Sequence, residues 1–121
     1  MNAPELLTVL ETMLSDVLGT YKTPEGSSVP AIFIGNPPST WRAEGLEVIV
    51  DPHPEYDNEV VHRGVAIVRE HVIRLIPHGQ MYTAATAAER ICKRLDGTNP
   101  TTVEGNESLG ILTQYVLRVR S

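Results

Sequence analysis

The chain carries a single cysteine, Cys92, so no disulfide can form within it. That thiol falls in an apolar helical stripe, which predicts a buried, inert group. No apolar run approaches the roughly 18 residues that a membrane-crossing helix needs. The start of the chain has no basic stretch followed by an apolar one, so no secretory signal is expected and cytoplasmic assembly is. Positive charge is also scarce. Ten Lys and Arg stand against fifteen Asp and Glu, giving a net charge of −5 and a pI near 5.3. A domain that grips nucleic acid by its phosphates needs a basic surface, and this composition argues against one. It is compatible with a surface that DNA slides past without specific binding, since repulsion from acidic groups is screened within about 8–10 Å.

Catalytic signatures are missing as well. There is no G-x-x-x-x-G-K-[ST] loop, no G-x-G-x-x-G and no G-x-S-x-G elbow. His53, His62, His71 and His78 match no common metal-ligand spacing, and neither H-x-H nor H-E-x-x-H occurs. No cofactor or metal is expected, and no catalytic residue stands out.

What remains is an ordinary globular composition, 41% hydrophobic and 21% charged over 121 residues. That length suits one domain spanning residues 1–121. A domain of this size buries roughly two-thirds of its unfolded surface, enough for one core.

The chain is organised around residues 45–79, which hold 11 of its 21 valines and isoleucines and are flanked by two helical patterns. The first helix is predicted over 4–18. Asn2 is its candidate cap, Pro4 suits the first turn, and Leu6, Leu7, Leu10, Met13, Leu14, Val17 and Leu18 recur at helical spacing. Gly19 is the expected stop. Residues 20–30 read as loop, with a turn-rich cluster at 23–28. A short strand is predicted over 31–35, broken by Pro37 and Pro38. Trp41 lies in this irregular segment, either anchoring it on the core, the preferred account, or meeting a partner.

Residues 45–51 read as a strand with Leu46, Val48 and Val50 on one face and Glu47, Ile49 and Asp51 on the other. Glu47 and Asp51 form a possible acid–base pair, although an exposed sheet face explains them as well. The segment 51–59 contains two prolines and four acids, Asp51, Glu55, Asp57 and Glu59, and reads as a loop. If extended, Asp51, His53, Glu55 and Asp57 would share a face able to hold a divalent cation. A solvated acidic loop is the plainer account.

Residues 60–76 must be extended. One face would carry Val65, Ile67, Arg69, His71, Ile73 and Leu75, the other Ala66, Val68, Glu70, Val72, Arg74 and Ile76. Both faces are mixed, which predicts either a long bent strand projecting beyond the body or a break near Arg69. The second helix is predicted over 81–95, with a stripe of Met81, Ala84, Ala85, Ala88, Ile91, Cys92 and Leu95. Short and long strands follow at 101–103 and 111–119. Strands in runs with the helices apart predict an α+β fold, a mainly antiparallel sheet with two helices packed on it.

This order resembles the tail terminator proteins of tailed bacteriophages. The carrying residues are the helix 4–18, Gly45-Leu46-Glu47-Val48-Ile49-Val50 leading into the Pro-rich 51–54, the extended stretch to Ile76, the Ala-rich helix 81–95 and the last strand 111–119. The resemblance implies a virion protein with a tail-terminator-like fold and no catalytic residues. It implies a hexameric ring that caps the tail tube, ends its polymerisation and joins it to the head connector. DNA would pass through the lumen. Asp51, Glu55, Asp57 and Glu59 become candidate lumen-facing residues, and Trp41, Arg69 and Arg74 candidate partner contacts. A head–tail connector or neck subunit would give a similar pattern. A small metal- or ligand-binding domain using the His and acidic residues is the third expectation.

Overall fold

The computed structural model describes residues 2–53, 55–61, 64–79, 82–95, 101–104 and 113–120, with side chains over 2–53, 70–79, 83–95 and 114–119. Helix α1 spans Ala3–Met13. Asn2 caps it as expected: its side-chain oxygen accepts from the Glu5 amide at 2.9 Å. The helix is shorter than the apolar stripe suggests. Leu14 closes it, its backbone N–H donating to the Leu10 carbonyl at 2.9 Å, and a tight turn follows. Leu6, Leu10 and Leu14 are fully buried, and Leu7, Met13, Val17 and Leu18 pack around them.

The segment read as loop contains two strands, β1 (Thr20–Lys22) and β2 (Ser28–Pro30). With β4 (Arg42–Glu44) they make a small antiparallel sheet in the order β2-β1-β4. Each is three residues long, too short for alternation to register in the sequence. Gly19, expected to stop the first helix, instead passes directly over Gly45. Its amide donates to the Leu46 carbonyl at 2.8 Å. Gly45 itself has φ +78°, a conformation that favours glycine.

The main sheet has β3 (Ile32–Ile34), β5 (Leu46–Val50), β6 (Glu55–Val61), β7 (Gly64–Pro77), β8 (Thr101–Glu104) and β9 (Thr113–Arg120). Its order is β3-β5-β7-β9-β8, with β6 also paired to β7. Every pairing is antiparallel except β3 with β5. The fold is α+β, as the order of elements predicts.

One face of this sheet is the core. Leu46, Val48, Val50, Ile73, Leu75, Leu117 and Val119 are buried there beside the leucines of α1. Helix α2 (Tyr82–Arg94) adds Ala84, Ala87, Ala88 and Ile91. Ala87 takes the place expected for Ala85, which is exposed. An alanine pair gives the hydrophobic period too little contrast to separate them. Arg90 of α2 binds Asp16 through both terminal guanidinium nitrogens, one bond being 2.8 Å from Nη2 to Oδ2. It thereby places a cation beside the C-terminal end of α1, whose own last turn has no basic residue.

Strand β7 is one continuous element of 14 residues, with no break at Arg69. Its pairing explains the mixed faces. Residues 70–77 lie in the sheet, pairing with β9 over 70–75 and with β5 over 73–77. Residues 64–69 pair only with β6 among the described residues. At Glu70 the strand is flanked by Glu55 of β6 on one edge and Arg120 of β9 on the other, so β6 continues along the edge that β5 occupies lower down. Between them the register steps by two residues, from Val50 opposite Ile73 to Glu55 opposite Glu70. The stretch read as the loop 51–59 is therefore a short bend followed by a strand. The result is a two-stranded arm reaching past β5 and β9 by roughly 20 Å, at about 3.3 Å per residue.

Candidate functional site

The sheet face opposite the helices carries the polar cluster. Because β5 alternates, sending Leu46, Val48 and Val50 into the core turns Glu47 and Ile49 to this other side. Cross-strand register places Ile76 opposite Glu47 and Arg74 opposite Ile49. Glu47 is only 8% exposed, an unusual position for a carboxylate unless it is hydrogen-bonded. Both of its oxygens are engaged. Oε2 accepts from the Tyr21 hydroxyl at 2.6 Å. Oε1 lies 2.8 Å from Nε2 of His78, just beyond β7. That contact calls for a hydrogen on Nε2.

Tyr21 is the buried centre of β1. Burial, reinforced by the hydrogen bond and negative charge of Glu47, pushes its phenol well above the ordinary tyrosine value. It stays a donor throughout the neutral range. Its ring packs against Trp41, centroids 5.7 Å apart, and Trp41 meets Phe33 edge-on at 6.0 Å. The cluster thus joins the small sheet, strand β5 and the segment after β7.

Beside it is an open cavity of about 350 Å³ whose wall includes Gly35, Asn36, Glu47, Ile49, Arg74 and Gln114. Arg74 is exposed and has no hydrogen bond or ion pair among the described residues. By contrast Arg90, Lys93 and Arg118 are each matched with a carboxylate.

The sequence-predicted residues do not all gather at this cluster. Asp51 and Glu47 do not form one acid–base pair. Asp51 accepts from the His53 amide at 3.0 Å in a local turn, while Glu47 is held by Tyr21 and His78. Glu55, Asp57 and Glu59 belong to β6, in register with Glu70, Val68 and Ala66, and not to a loop shared with Asp51. No cluster of three or more His, Cys, Asp or Glu suited to a metal occurs among the described residues. Trp41 anchors its segment on Tyr21 and Phe33, with part of its surface still accessible. Arg69 lies on the arm, opposite Tyr56. His62 lies outside the described residues. His71 is fully buried on the core side of β7.

Sequence reasoning missed Tyr21 and His78 as partners of Glu47. The available signal was a lone acid inside an otherwise apolar strand, which must find donors if both faces are covered. Among the described residues no helix is long and apolar enough to cross a membrane. No protein-family model, curated protein or solved structure matches the chain.

Proposed function

We propose that this protein is a structural virion component, the ring-forming terminator of a phage tail. In this reading a homohexameric ring closes on the head-proximal end of the tail tube. It ends tube polymerisation and offers its other side to the head connector, while DNA passes through the lumen without specific binding. The reading rests on the resemblance in element order. The observation that carries it is the two-stranded arm. Residues 64–69 extend past β5 and β9, supported only by β6 among the described residues, on a body already packed by two helices.

A ring of one kind of subunit needs two different, complementary patches on each copy. An arm that leaves the body supplies one of them, and the sheet face away from the helices is available as the other. The acidic composition suits a channel that DNA must leave freely.

The test is loss of the protein from the virion that encodes it. A missing terminator leaves abnormally long tails. Tails of normal length that fail to join heads would replace this reading with a neck or head–tail connector subunit.

A further inference from the structure

The cavity at Arg74 and the acidic strand of the arm are complementary in charge and lie on different parts of the chain. Arg74 projects from β7 on the face opposite the helices, beside a cavity of about 350 Å³. It is exposed and lacks an ion-pair partner among the described residues. Glu47, the acid lining the cavity, already faces Tyr21 and His78. Asn36 and Gln114 add amide groups to the wall, and Ile49 and Ile76 an apolar floor. Arginine is the side chain best shaped to take a carboxylate in a two-point grip.

The chain itself provides the carboxylates. Strand β6 has acids at every second position: Glu55 pairs with Glu70 at the base of the arm, and Asp57 and Glu59 lie further out, carried away from Arg74 of the same copy. Asp57 stands opposite Val68 and Glu59 opposite Ala66, up to eight positions before Arg74 along β7. At about 3.3 Å per residue that is roughly 20–26 Å, beyond the reach of any side chain. A second copy meets no such limit. With a net charge of −5, two copies repel unless an unmatched cation on one finds acids on the other.

We infer that the Arg74 cavity is the receptor for the acidic β6 strand of a second copy of this chain. The contact is head-to-tail, arm to sheet face, and repeats around a closed assembly. It rests on the ring reading and assigns that ring its subunit contact. It also places Glu55, Asp57 and Glu59 against a neighbour instead of along the lumen.

A charge swap on the full-length protein tests this, with assembly followed by sedimentation velocity across concentration. Arg74→Glu should raise the concentration needed for assembly by at least about tenfold, and so should joint reversal of Glu55, Asp57 and Glu59 to lysine. Combining the two should bring assembly back to within about threefold of the starting protein. Thermal melting of each variant separates lost contact from lost fold, and rescue by the swap cannot come from misfolding. If the single reversals assemble like the starting protein, or the swap does not rescue, the inference is overturned while the ring stands. If the starting protein assembles at no concentration and caps no tail tube, ring and inference both fall.

Discussion

Tyr21 donates its hydroxyl to Glu47 at 2.6 Å, joining two sheets through residues 26 positions apart in the chain. The bond is buried, so its loss leaves a carboxylate that is only 8% exposed short of one donor. Tyr21→Phe should cost about 1–3 kcal/mol, read by urea unfolding. Glu47→Gln made on top of Tyr21→Phe should cost less than the same change in the parent, because the bond is already gone. Equal costs in both backgrounds would show that the two residues act independently.

The same pair gives a pH dependence. Tyr21 is held above its ordinary value by burial first and by Glu47 second. A group whose folded pKa is raised lends stability that is complete below its unfolded pKa and fades as pH rises through the folded one. The unfolded phenol titrates near 10, so stability should decline above about pH 10 as the unfolded chain alone loses the proton. Melting temperatures from pH 8 to 11 should fall more steeply for the parent than for Tyr21→Phe. Parallel curves would refute the assignment.

Gly19 and Gly45 make the crossing that lets β1 leave the helix end and pass over the start of β5. A Cβ at Gly19 would collide with the Glu44 carbonyl oxygen and stand 2.7 Å from the Leu46 amide nitrogen, both backbone atoms that cannot swing aside. Gly19→Ala should therefore destabilise by at least about 2 kcal/mol. Gly26 is the control. It has φ +85° but nothing within 4 Å of its added Cβ, so its alanine variant should cost only the backbone conformation, about 1–2 kcal/mol. Equal melting curves for the two variants would contradict the crossing.

Arg90 and Asp16 tie α2 to the end of α1 at the surface. The Arg90 hydrogen bonds hold the Asp16 carboxyl below its ordinary value. A depressed carboxylate lends stability above its unfolded pKa and loses it as pH falls through the folded one. Arg90→Ala should lower the melting temperature at neutral pH and low salt. The difference should shrink below about pH 4 and in 1 M salt, where the Debye length is about 3 Å. A difference that persists unchanged in high salt would mean that packing, and not charge, ties the helices.

The strands with coherent faces were legible from the sequence, and those without were not. Leu46, Val48 and Val50 alternate cleanly because β5 has helices on one side and a polar cluster on the other. Leu117 and Val119 do the same in β9. Strand β7 defies a single period because its two halves sit in different surroundings, one inside a sheet and one in an arm. The acids of β6 resemble loop residues for the same reason, since an arm outside the body need not be apolar. The site was legible only as far as Glu47. Its donors come from Tyr21, in a strand of three residues, and His78, beyond the end of β7, and no local pattern links them.

The arm should be separable from the body. Replacing residues 58–67 with Asn-Gly closes the hairpin at the pair Asp57 and Val68, using a turn suited to two strands. The shortened protein should stay within about 1 kcal/mol of the parent in stability, because the core found among the residues with described side chains lies on the other elements. It should not assemble. A body that unfolds without its arm would contradict the division.

Electron microscopy of the purified protein in negative stain at high concentration, with mass determined in parallel, tests the central claim most directly. The ring reading predicts closed rings with a central hole and the mass of about six chains, the cyclic closure expected of head-to-tail contacts. A monomer at every concentration that also leaves the ends of added tail tubes uncapped would contradict it.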